Sequence, residues 1–322
     1  MKSFDGLIAV VTGGGTGMGR ELTRQLAASG CDVAICDVSM PSMVETQALC
    51  ASASPAARIS PFVADVSVEA QVLAFRDHVA STFDTGHINL LFNNAGIGGG
   101  GSIIVDDRDE WDKVFGVCWG GVYHGTRAFL PMLMASDRGH VVNTSSVNGF
   151  WACLGPGVAH TAYSAAKFAV KGFTEALIND FRLNAPHLRA SVVMPGHIGT
   201  SIVFNSGSVL GRDPKELNAE QIAQFRARLE GRGLDVSGAS DEDLRAAVLQ
   251  QAESFRDNAP TTAAEAASII LDGVRAERWR ILVGADAVTL DGLVRERPDE
   301  AYEASFMDRL RAQGAFGFIP AE

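Results

Sequence analysis

The chain has 322 residues, 47% of them hydrophobic and 20% charged, an ordinary globular composition that suits one large domain or two small ones. Its formal net charge of -11 is spread along the chain without long basic blocks. This distribution argues against nucleic acid or an anionic membrane surface as the main ligand, and favours small molecules. No uninterrupted apolar stretch approaches the roughly 20 residues that a membrane span needs. We therefore expect a soluble, unexported protein.

The cysteines are spaced without a C-x-x-C pair and without a nearby cluster of histidines; they are Cys31, Cys36, Cys50, Cys118 and Cys153. This spacing indicates neither a zinc site nor a disulfide framework. We therefore expect no bound metal, and a reducing cytoplasm as the location.

Short apolar, β-branched runs alternate with longer amphipathic stretches along most of the chain. The runs predict strands at 7–11, 33–36, 59–63, 88–92, 140–144, 190–194 and 280–284. The helices predicted between them include one from about Gly17, one over 68–83, one over 109–134, one through Tyr163 to about Leu183, and one over 262–276. Near-continuous apolar strands are typical of a parallel sheet covered on both faces by helices. The sequence thus predicts an α/β fold: a doubly wound, Rossmann-like parallel sheet in three αβα layers.

Residues 205–259 interrupt this alternation. Charged helical segments are predicted at 219–229 and at 241–255, the second with Ser240 as its cap. Long connections in compact domains are usually functional or mobile, so we interpret this insertion as a helical lid within a single domain of residues 1–284. Residues 285–322 then form a C-terminal extension, whose apolar end, GAFGFIP, must pack against other residues.

Three glycines, Gly13, Gly17 and Gly19, follow the first strand and open the first helix in TGGGTGMG. Unpaired N–H groups and the helix dipole favour a pyrophosphate there. The spacing G-x-x-x-G-x-G departs from the commoner G-x-G-x-x-G fingerprint, and a glycine cluster can also be a flexible turn. We call residues 13–19 the glycine cradle.

The second strand ends at Asp37, whose carboxylate can accept hydrogen bonds from a ribose with a free 2′-hydroxyl. A 2′-phosphate would be repelled there. No Arg or Lys lies between Thr12 and Gly19 or directly after Asp37, so NAD is favoured over NADP. A plain turn residue at the strand end is the alternative role for Asp37.

Tyr163 and Lys167 stand four residues apart in TAYSAAK, on one face of a predicted helix. An ammonium beside a phenol lowers the phenol's pKa from about 10, which makes a general base available near neutral pH. The alternative is a tyrosine that lies on the surface of an amphipathic helix.

Five motifs occur in order at successive strand ends: TGGGTGMG, NNAG (93–96), NTSS (143–146), YSAAK and PGHIGT (195–200). With them, residues 5–200 resemble the classical short-chain dehydrogenases/reductases, and residues 260–284 resemble that family's last helix and strand. The resemblance implies an enzyme that interconverts a secondary alcohol and a ketone with NAD. Residues 1–284 would then be its dinucleotide-binding catalytic domain.

The resemblance also implies the catalytic residues. Tyr163 would be the acid/base, Lys167 would lower its pKa and hold the nicotinamide ribose, and Ser146 would hydrogen-bond the substrate oxygen. Ser145 competes with Ser146, because adjacent residues at a strand end point to opposite sides. The phenolate would take the hydroxyl proton during oxidation, and the phenol would return it during reduction.

Cofactor contacts are implied along the whole edge of the predicted sheet. The residues are Gly13, Thr16, Gly17, Met18, Gly19, Asp37, Asp65, Val66, Asn93, Ala95, Gly96, Tyr163, Lys167, Pro195, Gly196, Ile198 and Thr200. Asp65 would accept from the adenine amine or, alternatively, cap a helix. His160 and His197 lie near the site in sequence, and we assign neither a catalytic role.

One departure of the chain from the family concerns the substrate. Tyr163 follows Ser146 by more residues than is usual, so FWACLGPGVAH is an enlarged loop. Its Trp151, Leu154 and Val158 form an apolar wall of the site or, alternatively, pack as an ordinary loop. With the insertion and the apolar tail, this loop suggests a roomy pocket for a steroid-like, aromatic or alicyclic substrate.

Cys118 occupies the position where the family normally has an asparagine that kinks the helix and holds a water linking the lysine to solvent. A thiol cannot reproduce an amide's donors and acceptor. Either Gly120 and Gly121 supply the irregularity and backbone carbonyls hold the water, or proton exchange takes another route. A reactive thiol is a weaker alternative. The second functional hypothesis is a catalytically weakened NAD-binding sensor or scaffold.

The resemblance further implies a homodimer or a homotetramer. In that family the helices corresponding to 109–134 and 163–183 commonly pair across a two-fold axis. The sequence does not choose between the two assemblies.

Overall fold

The computed structural model describes residues 2–153, 158–231 and 233–314. The strands are β1 (Ile8–Thr12), β2 (Asp32–Asp37), β3 (Ile59–Val63), β4 (Leu90–Asn93), β5 (Gly139–Thr144), β6 (Leu188–Pro195), β7 (Ile198–Gly199), β8 (Thr261–Thr262) and β9 (Arg280–Val283). Within these residues the main sheet has seven strands in the order β3-β2-β1-β4-β5-β6-β9, and every neighbouring pair is parallel.

The helices follow the strands in regular alternation up to β6. They are α1 (Gly17–Ala28), α2 (Met40–Ala53), α3 (Glu69–Phe83), α4 (Arg108–Phe115), α5 (Gly121–Met134), α6 (Thr161–Asn184), α7 (Ile202–Val209), α8 (Ala219–Gly231), α9 (Asp241–Asp257), α10 (Ala263–Arg275), α11 (Ala285–Glu296) and α12 (Ala304–Ala312). All of them are too short or too polar to cross a bilayer, as far as the chain is described.

The two faces of the sheet carry separate apolar cores. Adjacent strand residues point to opposite faces, so Val10 of β1 packs with Phe75 of α3 and Phe129 of α5. Val11 instead packs with Leu26 of α1 and with apolar residues of α10. The β1 strand is buried along its whole length because helices cover both faces. The predicted three-layer, Rossmann-like fold is confirmed.

The strand order fixes where a ligand can bind. The chain runs outward from β1 through β2 to β3, and then returns to the other side of β1 at β4. The crevice at the carboxyl ends of β1 and β4 is therefore the topological switch point, where open parallel sheets bind ligands. Four of the five motifs begin at the carboxyl ends of β1, β4, β5 and β6, and the fifth, YSAAK, lies in the first two turns of α6.

The helix expected over 109–134 is interrupted. Between α4 and α5, residues Gly116–Gly120 form one turn of π-helix, with Cys118 at its centre. A π turn inserts an extra residue and locally widens the helix, and such turns often occur at functional sites.

The interruption expected at 205–259 begins slightly earlier in the structure: the described residues between β7 and β8 form three helices, α7, α8 and α9. The short strands β7 and β8 pair in parallel, so the segment leaves and rejoins the fold at one place. Ser240 caps α9 through a reciprocal capping box with Asp243, as the sequence predicts for its N-terminus. The sequence did not predict α7, because its IVFNSGSV composition has weak helix propensity.

The C-terminal extension forms a third apolar core. Helices α11 and α12 surround a cluster that includes Leu290, Ala301, Phe306 and Leu310, and that also contains Trp151 from the enlarged loop. Residues 315–320 of GAFGFIP and Leu154 of the loop lie outside the described residues.

Candidate active site

The glycine cradle is a tight backbone turn at the end of β1. The N–H groups of Gly13 and Gly14 both donate to the carbonyl oxygen of Cys36, at 2.7 and 3.1 Å. Gly13 has φ of +69°, and a Cβ on Gly19 would overlap the Gly13 carbonyl oxygen. Glycine at these positions lets the turn close against the first turn of α1.

The N-terminus of α1 is available to an anion. Thr16 is the N-cap residue, but its side chain does not cap the helix. Its hydroxyl instead accepts a hydrogen bond from the Asn205 amide of α7, at 2.8 Å. A Cβ on Gly17 would lie 3.1 Å from Cγ2 of Thr200, so the residues after β6 pack directly on the cradle. Nothing in the sequence indicated the contact of Asn205 with the cradle. Met18, on the first turn of α1, packs against the core on that side of the sheet.

Asp37 ends β2 beside the cradle, and backbone N–H groups orient its carboxylate. One oxygen accepts from Gly15 at 3.0 Å and the other from Ser39 at 3.1 Å. Arg20, which follows the cradle, folds back to donate to the Gly15 carbonyl and forms an ion pair with Glu45 at 2.7 Å. The sequence did not indicate that the Arg20 guanidinium folds back onto the cradle in this way. Glu45 neutralises its charge.

The NNAG residues divide between the sheet interior and the site. The Asn93 amide is buried and donates to Thr126 and Asn143, so its side chain links β4 to β5 and α5. The side-chain nitrogen of Asn93 is thus engaged inside the protein, whereas its buried side-chain oxygen has no hydrogen-bond partner among the described residues. Ala95 donates its N–H to the Thr12 hydroxyl beside the cradle. A Cβ on Gly96 would lie 3.5 Å from the Lys167 ammonium, so Gly96 belongs to the catalytic edge.

The Asp65 carboxylate is held by protein donors. Lys113 forms an ion pair with it at 2.6 Å, and the backbone and hydroxyl of Ser67 donate to its other oxygen. Burial favours the neutral acid, but these donors outweigh it and hold the pKa of Asp65 below its usual range. Val68, rather than Asp65, is the N-cap residue of α3. Val66 is buried and packs where a side chain on Gly121 would lie.

The PGHIGT segment links β6 to the insertion. Pro195 ends β6, and a Cβ on Gly196 would overlap the carboxylate of Asp286 in α11. The His197 backbone donates to the same carboxylate, and its ring contacts the Phe255 carbonyl at the end of α9. Ile198 is buried in β7. His197 is therefore held by structural contacts.

The two serines of NTSS face different ways. The Ser145 hydroxyl donates to the backbone carbonyl of Lys167 at 2.7 Å, inside the contact between β5 and α6. The Ser146 hydroxyl instead lies beside the Tyr163 phenol. This geometry brings Ser146, and not Ser145, to the tyrosine.

Lys167 is buried and its ammonium donates to the Thr144 carbonyl at 2.8 Å. The same nitrogen lies 5.3 Å from the centre of the Tyr163 ring. The helical spacing of i and i+4 thus brings a cation and a phenol together at the carboxyl edge of the sheet.

The protonation of Tyr163 differs from the simple expectation from sequence. Burial raises the pKa of the phenol, and the Lys167 charge and the Ser146 hydroxyl lower it only in part. The net direction is therefore upward, because the phenol loses more hydration than one cation offsets. The imidazole of His160 lies against the phenol, with 4.7 Å between ring centres. Burial lowers the pKa of His160 to about 4, so this neighbour is neutral at pH 7.

Cys118 lies next to this group of residues. Its thiol is fully buried and donates to the Ile97 carbonyl at 3.2 Å. The π turn shows that the helix is irregular here without the family's asparagine. In the described part of the chain, His, Cys, Asp and Glu side chains do not gather in a group of three or more that could hold a metal ion.

These contacts fit a dinucleotide. The cradle offers backbone N–H groups at a helix N-terminus, Asp37 offers an oriented carboxylate, and Lys167 offers a buried ammonium beside the phenol. Together with the fold, they define an oxidoreductase of the nucleotide-binding α/β class. A family model described as short chain dehydrogenase matches residues 7–208. The chain belongs to this family.

Relatives and solved structures agree with this assignment. SadH of Mycobacterium tuberculosis is 32% identical over 320 residues, which is 99% of each chain. Levodione reductase of Leifsonia aquatica is 34% identical over 223 residues, covering 69% of this chain and 80% of that protein.

Two solved structures are also similar to this chain. A short-chain dehydrogenase/reductase from Burkholderia phymatum, in complex with NAD, has a TM-score of 0.72 and 29% identity, covering 93% of this chain and 95% of that one. A metagenomic short-chain oxidoreductase in complex with NADP has a TM-score of 0.53 and 29% identity, covering 60% and 83%.

Proposed function

We propose that this oxidoreductase interconverts a secondary alcohol and a ketone with NAD. The observation that carries the proposal is the arrangement of Ser146 and Lys167 around the Tyr163 phenol, at the edge of the sheet that holds the glycine cradle. Levodione reductase, a relative by sequence, is named for the reduction of a ketone substrate.

Each residue has a defined task in this reaction. The nicotinamide, when bound, supplies the hydride acceptor or donor. The Ser146 hydroxyl hydrogen-bonds the substrate oxygen, and the Tyr163 phenolate accepts the hydroxyl proton during oxidation. The buried Lys167 ammonium stabilises the phenolate electrostatically. During reduction the phenol gives the proton back to the developing alkoxide.

NAD is the cofactor that Asp37 favours. Its oriented carboxylate suits a ribose 2′-hydroxyl and repels a 2′-phosphate. Arg20, which follows the cradle, donates to the Gly15 carbonyl beside this position, and its ion pair with Glu45 limits its attraction for a phosphate. Among the similar structures one holds NAD and another NADP, so the fold alone does not choose between them, and the proposal of NAD rests on Asp37.

The substrate is a bulky hydrophobic alcohol or ketone, of steroid-like, aromatic or alicyclic type. The enlarged loop before Tyr163 and the helices at 202–257 add residues around the site beyond those of the main sheet and the helices that flank it. These added residues suit a large substrate. Trp151 does not line it, because its ring is 1% exposed and packs on the C-terminal extension. Val158 is the described residue of the proposed wall that stays partly exposed.

Residues 205–259 act as the lid of the domain formed by residues 1–284. Ser206 of α7 accepts a hydrogen bond from Gly98 after β4, and Arg212 pairs with Glu110 of α4 at 2.6 Å. Arg228 of α8 pairs with Asp106 at 2.8 Å. These contacts cross from the insertion to the loop that follows NNAG, beside the catalytic edge.

The decisive experiment replaces the acid/base. Tyr163→Phe should abolish NADH formation from a panel of hydrophobic secondary alcohols at alkaline pH, followed by NADH absorbance. NADH binding, followed by fluorescence, should stay within about twofold of the wild-type affinity, since a phenyl ring fills the same space. Retained turnover in this variant would remove Tyr163 from the reaction.

Cys118 favours a second candidate function, an NAD-binding sensor or scaffold with weakened chemistry. The same panel separates the two candidates. A wild-type protein that binds NADH but oxidises none of the alcohols would support the sensor.

The protein forms a homodimer or a homotetramer in this proposal, and it acts in a reducing compartment such as the cytoplasm. The five cysteines are free, and four of them are buried, which suits reducing conditions.

A further inference from the structure

The C-terminal extension contacts the segment that directly follows Ser146. The Trp151 indole N–H donates to the Ala301 carbonyl at 2.7 Å, and its ring lies 5.5 Å from that of Phe306. The next backbone N–H, of Ala152, donates to the Tyr302 hydroxyl at 3.0 Å. Two neighbouring residues of the loop are thus bonded to two neighbouring residues of the extension.

The same segment is bonded back to Ser146. The Asn148 N–H donates to the Ser146 hydroxyl oxygen at 3.2 Å. The Asn148 side chain is buried and donates to the carbonyls of Trp151 and Cys153, at 3.0 and 3.1 Å. Val147, between the serine and the asparagine, belongs to the apolar cluster of the extension. A continuous set of contacts therefore runs from α12 to the serine hydroxyl.

We propose that residues 285–314 are a positioning element for Ser146, and that Asn148 and Trp151 are the positioning residues through which they act. This proposal rests on the proposed function, in which Ser146 touches the substrate oxygen. Buried polar groups with all their partners hold a single geometry, whereas a free loop samples several. Reacting groups need placement within roughly 0.5 Å, which a short turn after β5 does not secure by itself.

The alternative is that the extension only packs against the loop and adds stability. The pKa of the Tyr163 phenol distinguishes this alternative from the proposal. The Ser146 hydroxyl lowers the pKa of Tyr163 by hydrogen bonding to the phenolate. If the extension positions Ser146, then loosening the contact with Trp151 removes part of this effect at a distance. If the extension only adds stability, the pKa of Tyr163 is unchanged in the folded variant.

The test follows the phenolate of Tyr163 by ultraviolet absorbance during pH titration. The chain has three tyrosines, so subtracting the titration of Tyr163→Phe isolates the signal of Tyr163. Ser146→Ala should raise its pKa by about 0.5 to 1 unit, the loss expected for one hydrogen bond. Trp151→Phe should raise it by a part of that amount. The double variant should show the same pKa as Ser146→Ala, because both changes act on the same interaction.

An unchanged pKa in Trp151→Phe, or shifts that add in the double variant, would overturn the proposal. If Trp151→Phe does not fold, Tyr302→Phe decides, with the double variant Tyr163→Phe/Tyr302→Phe as its baseline: the Tyr302 side chain is exposed, at 63%, and the change removes only the acceptor of the Ala152 N–H. A rise in the pKa of Tyr163 supports the proposal there, and the wild-type value overturns it. The titration needs no substrate, so an absence of turnover would refute the proposed function without deciding this question.

Discussion

At the scale of single residues, the proposed preference for NAD rests on Asp37 and its two oriented oxygens. Asp37→Ala removes a charged acceptor whose hydrogen bonds are worth about 1.5–3 kcal/mol, so we expect NADH binding to weaken by about 10- to 100-fold. NADPH should lose less, since the repulsion of its 2′-phosphate disappears together with the carboxylate. Fluorescence titration with both cofactors measures the change.

Asp32 provides a matched control for this variant. It lies on the same strand, at the opposite end from the cradle, and pairs with Arg58 at 2.6 Å. Asp32→Ala should leave the ratio of the two affinities at its wild-type value. If Asp37→Ala weakens NADH and NADPH binding equally, the carboxylate stabilises the turn but does not distinguish a ribose 2′-hydroxyl from a 2′-phosphate.

The charge of Lys167 should be visible in the pH dependence of oxidation. In the proposed reaction the phenolate of Tyr163 accepts the proton, so oxidation at saturating NAD should rise with pH through the pKa of the phenol and then level off. Burial raises this pKa and Lys167 opposes the rise. Lys167→Met removes the opposing charge, so its profile should move to higher pH. Reduction, which needs the neutral phenol, should persist to higher pH in the same variant.

Lys167→Arg is the matched control, since it keeps the charge at the same helical position. Its profile should stay closer to the wild-type profile than that of Lys167→Met. A profile of Lys167→Met at the wild-type position, or at lower pH, would contradict an electrostatic role for the lysine.

The sequence predicted those contacts that depend on the spacing of residues within one helix or strand. The pair at Tyr163 and Lys167 follows from helical geometry alone. The buried amide of Asn93 and the contact of Asn205 with Thr16 depend on partners far along the chain, so no local pattern indicates them. The pKa of the phenol also escaped prediction, because burial is a property of the folded site.

At the scale of elements, the helix between α4 and α5 has a π turn at Cys118. The helix is therefore irregular at the position where the family normally has an asparagine, even though this chain has a cysteine there. The Cys118 thiol donates its hydrogen to the Ile97 carbonyl. It therefore has no donor left to hold a water beside Lys167, as the amide of an asparagine could. Cys118→Asn should therefore raise turnover by about 2- to 10-fold, the effect of one added hydrogen bond. Steady-state kinetics across the pH range measures it.

Cys118→Ser separates the amide from the mere loss of a thiol. It supplies a small polar group and should give little or no gain in turnover. Because position 118 is fully buried, thermal unfolding of both variants must accompany the kinetics. Equal or lower activity of a well-folded Cys118→Asn protein at every pH would count against a limiting proton route.

Elements with strong periodicity could be predicted, and elements stabilised by tertiary contacts could not. The strands of the main sheet are apolar over nearly their full length, which fixes both their type and their burial. Helices α11 and α12 are short and amphipathic, and their stability comes from packing on Trp151 and on each other. Such packing depends on residues about 150 positions away, as in the hydrogen bond of Trp151 with Ala301.

At the scale of the whole molecule, the order of the strands brings motifs that are distant in sequence to one edge. Parallel crossovers require every βα loop to start at the same edge, so the four motifs that follow strands meet there, together with YSAAK at the start of α6. The sequence could therefore predict the architecture and the location of the site together. It could not predict that residues 285–314 would reach the same edge, since no strand alternation places them.

The assembly expected from the family can be tested on the α5 and α6 surface. Tyr123 is 42% exposed and stacks with Trp119, which also contacts Phe173 of α6. A contact between copies across these helices would bury this aromatic group, and burying an unpaired charge is costly. Tyr123→Glu should therefore lower the molecular mass in light scattering, relative to a wild-type dimer or tetramer. Val63→Glu, at a comparably exposed position on the β3 edge, should leave the mass unchanged. The same mass for all three proteins would place the interface elsewhere.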